Sequence, residues 1–195
     1  KVIKVTNNWV DTAKTAFKLT LENVNILNKD KEKAAMAIEG QGDTTIELDG
    51  NNRLENSSTD VNGDYIYNYH AALEKSGSKD KTGTLTITDT DDIGDDFNNR
   101  GSLTAIGQRG TGIGGGPEES GDNITIGGNA YVSASGYDVG IGGGTNLNGQ
   151  KYLKDTDGNN ITIQDNAYVS AKGKYRGIGG TIVGNKGEST VGGSA

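Results

Sequence analysis

Five carboxylates crowd into eight residues at Asp89, Asp91, Asp92, Asp95 and Asp96, with Gly94 among them to permit a bend. Calcium takes about six to eight oxygen ligands, so such a run can wrap a hard cation, and a solvated acidic loop is the competing reading. A second candidate, Asp155, Asp157 and Asn159 in DTDGNN, has the opening spacing of a calcium loop but lacks the closing bidentate Glu. Tyrosines form the other chemistry-bearing groups. Tyr65, Tyr67 and Tyr69 alternate in YIYNYH, and Tyr131 recurs as Tyr168. Exposed Tyr rings can stack on the C–H faces of sugars while their hydroxyls hydrogen-bond, so either group is a candidate glycan platform; stacking between neighbouring strands is the structural alternative.

Other chemistries are constrained by what the chain lacks. It has one His, His70, and no Cys, which removes a Cys/His zinc site and a thiol nucleophile and leaves a Ser-His-Asp triad dependent on a single loop residue. Polysaccharide lyases and hydrolases use paired acids, or calcium with a basic residue; here the aspartate run with Arg100 or Arg109 would have to serve, and no spacing assembles them. Residues 110–115, GTGIGG, satisfy the dinucleotide-binding pattern literally. That pattern needs a strand before it and a helix after it, whereas Pro117 and a polar loop follow, so these glycines read as a structural corner.

The net charge of -7 repels phosphate backbones and argues against a nucleic-acid partner. No apolar run approaches the roughly eighteen residues of a membrane span. The chain starts at Lys1, has Met36 as its only Met and shows no signal peptide, so we read it as a piece of a longer precursor. The absence of Cys fits the cytosol and also the surface of Gram-positive bacteria.

These residues must be positioned by a thin framework, because only 31% of the chain is hydrophobic while 32 of 195 residues are Gly. The apolar residues come in short alternating bursts bounded by Gly, Asn or Asp, which is a strand signal. Residues 123–144, NITIGGNAYVSASGYDVGIGGG, recur at 160–181 as NITIQDNAYVSAKGKYRGIGGT, 37 positions on, with 15 of 22 identical. Self-similarity at this period marks a stack of units, each covering the apolar edge of the next. Three series of aliphatics extend it backward: Leu48, Ile87, Ile126 and Ile163; Leu54, Leu103, Val132 and Val169; and Ile38, Leu73, Ile113, Ile141 and Ile178. Three short strands per turn of the repeat describe an all-β, right-handed, single-stranded parallel β-helix of four to five coils.

Alternation then places Val132 inward, and Thr125, Tyr131, Ser133, Thr162, Tyr168 and Ser170 outward. The outward column Glu47, Thr86, Thr125, Thr162 is one Thr wide and interrupted by charge, a poor match to the flat arrays that bind ice. One β-helix domain is expected over 1–195, with 1–26 as opening coil and cap, Trp9 covering the exposed end, 27–181 as coils with inserted loops, and 182–195 as a tail. Lys31 to Met36 contains good helix formers but is too short to stand as a helix, so it reads as a loop.

The string from GTLTIT through GSLTAIGQRGTGIGGG to NITIGGNAYVSASG resembles the Gly-rich β-helical regions of cell-surface proteins from Gram-positive, often gut-dwelling, bacteria. Those regions repeat GAGIGGG, ITI-x-GG and V-x-A-x-GG, and the likeness covers about residues 17–181. This chain departs in having GTGIGGG and VGIGGG, and in the acidic insertion before Gly101. The resemblance implies an extracellular or wall-attached, adhesin-like or carbohydrate-binding module. The expected function is therefore non-catalytic adhesion, with a glycan or host surface ligand as partner and no required cofactor, calcium being the one ion considered. A passive stalk is the alternative, and a polysaccharide lyase or hydrolase the weaker one.

Overall fold

The computed structural model describes residues 1–10, 16–75, 83–92, 97–145 and 156–180. Asp95, Asp96, Asp155 and the tail at 182–195 lie outside the described residues. Sixteen strands fall into three parallel sheets visited in strict rotation, so each coil uses every sheet once. Sheet A contains β1 (Ile3–Thr6), β4 (Met36–Glu39), β7 (Leu73–Lys75), β10 (Ile113–Gly114), β13 (Val139–Gly142) and β16 (Arg176–Gly179). Sheet B contains β2 (Phe17–Glu22), β5 (Thr44–Asp49), β8 (Leu85–Asp89), β11 (Ile124–Gly128) and β14 (Ile161–Ile163). Sheet C contains β3 (Asn25–Asn28), β6 (Asn51–Asn56), β9 (Ser102–Gly107), β12 (Tyr131–Gly136) and β15 (Tyr168–Lys172). The chain is thus a three-strand-per-coil parallel β-helix of five coils, with β16 opening the next.

Its core is a set of aliphatic stacks at the coil spacing of about 4.8 Å. Met36, Leu73, Ile113 and Ile141 stack along sheet A, and Ile46, Ile87 and Ile126 along sheet B, all fully buried. A buried Leu or Ile contributes about 1.5–3 kcal/mol relative to exposure, so a column one side chain wide can hold a coil that has few apolar residues. No helix among the described residues is long and apolar enough to cross a membrane. The 29–35 segment is a turn leading into β4.

The register differs from the expected series by two residues at one level. Ile87 pairs with Ile46 instead of Leu48, Leu73 with Met36 instead of Ile38, and Leu103 with Asn52 instead of Leu54, which meets Ala105. Corner loops of unequal length absorb the slip, and because strand side chains alternate with period two, every inward residue stays inward. The slip changes the outward face: Lys18, Thr45, Thr86, Thr125 and Thr162 now form one column, with Glu47 beside Thr88. Trp9 is 69% exposed and does not cover the open end, where Ile3, Val5, Leu19, Val24 and Ile26 are only partly buried.

Corners explain the glycines. Gly114, Gly142 and Gly179 repeat φ of +139°, +130° and +130°, and a Cβ on Gly142 would lie 2.0 Å from the Gly179 carbonyl oxygen. The GIGG motif is a stacked backbone corner, followed by the turn at Pro117 and not by a helix.

Candidate functional site

The C-to-A corners carry the site. After β6 the chain makes a long detour, 57–72, before rejoining β7. Its tip is a reverse turn in which the Asp60 carboxylate accepts from the N–H groups of Asn62 and Asp64 at 2.8 and 3.0 Å. Thr59 and Tyr65 form an antiparallel bridge behind it. The extended YIYNYH that follows turns Tyr65 and Tyr67 outward and Asn68 inward. Asn68 is fully buried; its Nδ2 donates to the carbonyls of Asp30 and Lys33 at 2.9 and 3.0 Å, and its Oδ1 accepts from His70 N–H at 3.0 Å. Asn56 donates to the carbonyls of His70 and Ala71, both at 2.9 Å, while accepting from Asn28 in the preceding coil at 3.0 Å. These amides fasten the detour to the coil.

Tyr65 meets Tyr67 edge-on at 5.0 Å, and Tyr67 stacks on Tyr69 at 6.0 Å. Arg109, two residues beyond β9, lies 4.9 Å from the Tyr65 ring, 5.5 Å from Tyr67 and 5.0 Å from Tyr137, the first residue after β12. Lys174, two residues beyond β15, lies 5.6 Å from Tyr137 and 4.9 Å from Tyr175. Successive corners therefore build one strip, Tyr69–Tyr67–Tyr65–Arg109–Tyr137–Lys174–Tyr175, along the stacking direction. Burial, with the fields of Tyr67 and Tyr137, raises the Tyr69 hydroxyl above the usual range, so it remains a donor near neutrality.

Beside the tyrosines is a cavity of about 480 Å³ lined by Lys31, Glu32, Tyr65, Ile66, Tyr67, Tyr69, His70 and Pro117. His70 Nδ1 lies 2.6 Å from the Glu74 carboxylate at its inner edge. Burial works against the imidazolium, but the hydrogen bond and charge of Glu74, helped by Glu32 and Glu119, outweigh it and lift His70 above its ordinary value. A His raised by folding contributes stability that is complete below its unfolded pKa and disappears as pH rises through the folded one. Accordingly, the denaturation-midpoint difference between the protein and His70→Gln should shrink between about pH 6 and about pH 8. A difference that stays constant or grows would reject the pair as a charged contact.

Tyr131 and Tyr168 form a separate group. Their rings stack at 4.8 Å and 9°, so the mutually facing sides are occupied. Tyr131 begins the strand whose far end leads to Tyr137, which separates this pair from the strip by about 20 Å of extended chain. The two tyrosine groups are not brought together.

The acidic run is divided. Asp89 sits at a strand end, fully buried, and its carboxylate accepts from Gly101 N–H at 2.8 Å and Asp91 N–H at 3.0 Å, closing the neck of the insertion. Asp91 and Glu47 bring their carboxylates within 4.8 Å of Asp89's, while Asp92 is exposed and outside that group. Glu47 had no place among the expected ligands, because only cross-coil pairing brings it near. At the second candidate, Asp157 N–H donates to Ser120 Oγ at 3.0 Å and Asn159 N–H to the Asp122 carboxylate at 2.7 Å. Those backbone groups stack 157–159 on the preceding coil. Burial holds the Asp122 carboxyl above its usual range, against the Asn159 hydrogen bond, with Asp157 adding repulsion and Lys75 opposing it.

Tyr137, Lys174 and Tyr175 were not among the expected site residues, and Arg109 was considered only as a basic partner for the aspartate run, whereas it lies among the tyrosines. A signal existed: within the duplicated segment the consecutive substitutions Tyr137/Lys174, Asp138/Tyr175 and Val139/Arg176 fall at and beside the corner, while the inward aliphatics Ile124, Ile126, Val132 and Ile141 are all repeated. Searches of protein-family models, of curated proteins and of solved structures find no match to this chain.

Proposed function

We propose that this β-helix is a non-catalytic, surface-displayed binding module whose C-to-A edge takes a carbohydrate. The observation that supports it most is the strip itself: Tyr65, Tyr67, Tyr137 and Tyr175 are 48%, 49%, 40% and 67% exposed, yet ordered into contact with one another through Arg109 and Lys174. Rings held in place lose little entropy on binding, and their faces suit the C–H side of a pyranose. The adjoining cavity offers Tyr69 as donor and the Lys31, Glu32 and His70 side chains as polar contacts. Extracellular display rests on the resemblance of the Gly-rich repeats to those of Gram-positive surface proteins.

A glycan array on the intact chain tests this reading. Retention of at least one glycan class is expected, and Tyr65→Ser with Tyr67→Ser should weaken it about tenfold or more, equivalent to about 1.4 kcal/mol, without loss of the folded β signal. An array without retained glycans would favour a stalk.

A further inference from the structure

We propose that the ligand is a linear polysaccharide bearing carboxylates, laid along the stacking direction with its acidic sugars over the Arg109–Lys174 half of the strip. This rests on the carbohydrate reading above and adds the class of sugar. The first argument is geometric: Arg109, Tyr137 and Lys174 come from the corners after β9, β12 and β15, so recognition groups recur once per coil, at about 4.8 Å. A row of repeating contacts is matched by a repeating chain better than by a single sugar.

The second argument is charge. In a chain of net charge -7, the corner region gathers Arg109, Lys172, Lys174 and Arg176, and among the described residues none of the four forms an ion pair within 4.0 Å. The acid of this corner, Asp138, is largely buried and forms no ion pair within 4.0 Å with Lys174. The Arg109 guanidinium carbon lies 4.9–5.5 Å from three Tyr ring centroids, contacts that hold the cation in the strip without engaging it with a carboxylate. The far end of the strip is acidic, with Glu32, Glu74 and Glu119 around His70, so the cavity there, itself lined by Glu32, suits an uncharged sugar face of the ligand better than one of its carboxylates. The net charge of -7 opposes the long-range attraction on which nucleic-acid binding depends, while two of the four local cations, Arg109 and Lys174, stand among Tyr faces that suit pyranose C–H surfaces, which favours an acidic sugar chain.

Polygalacturonate, alginate and hyaluronan, each compared with its carboxyl-reduced form, provide the test on the intact chain by titration calorimetry. At least one acidic polymer should bind tenfold or more tighter than its reduced partner, and the advantage should fall with added salt. Lys174→Gln, at an exposed position, and the double change Arg109→Gln with Lys174→Gln should erase the advantage, read as convergence of the acidic and reduced polymers' affinities whatever their common value; an advantage that survives the double change would overturn the assignment. Equal affinity for each pair, or no binding to any of the six polymers while the array retains other glycans, would overturn the acidic-sugar assignment and leave the carbohydrate reading standing. Silence on both the polymers and the array would remove both. Tighter binding of oligothymidylate than of every polymer would overturn the proposal in favour of a nucleic-acid ligand.

Discussion

Val132→Asp is expected to lower stability by about 3–5 kcal/mol, a large part of the roughly 5–15 kcal/mol available to a domain. Val132 is completely buried, paired with Leu103 on one side and Val169 on the other, and the surrounding cluster is aliphatic. A carboxylate there has no partner and no room to reach water, so it must be buried charged or take up a proton. The neighbouring Ser133 pairs with Thr104 and Ser170 on the outward face, and Ser133→Asp should change stability by no more than about 0.5 kcal/mol. Urea denaturation of the two variants measures the contrast. Similar losses would mean that the strand is one residue out of phase.

The second large effect concerns a corner. Gly142→Ala should cost about 3–5 kcal/mol, from backbone strain and overlap together. Gly142 has φ +130°, and an added Cβ would stand 2.0 Å from the Gly179 carbonyl oxygen of the next coil. Gly63 separates the two contributions. It also has positive φ, +87°, but sits at the tip of the 57–72 detour with nothing within 4 Å of an added Cβ. Gly63→Ala should therefore cost only the conformational part, about 1–2 kcal/mol. If both substitutions have the same effect, close stacking is not what demands glycine in GIGG.

Both predictions rest on features legible along the chain. Alternation within each strand told inward from outward, and a 37-residue duplication told that equivalent strands stack, since Ile124, Val132 and Ile141 each pair with the residue 37 positions later. The step between earlier coils was less legible. Leu19 pairs with Ile46, 27 residues on, whereas Asn52 pairs with Leu103, 51 residues on, because inserted corners lengthen a coil without altering its sheets. That is why the three expected series were displaced by two residues while their faces remained right.

The candidate site was legible only in part. Tyr65, Tyr67 and Tyr69 stood out by their alternation, but their link to Arg109 crosses one coil boundary and the continuation to Tyr137, Lys174 and Tyr175 crosses two more. Asp89 looked like one of five equivalent surface acids; its burial and its clasp on Gly101 depend on where β8 ends.

Strand phase, coil architecture and the need for glycine at the corners are local properties, set by period-two side-chain alternation and by backbone conformations open to few residues, so they are written in consecutive letters. The aromatic–cation strip and the grouping of Glu47 with Asp89 and Asp91 arise from stacking. Residues dozens of positions apart become neighbours at the coil spacing only once each intervening loop has closed, and loop length in residues does not specify which side chains then meet.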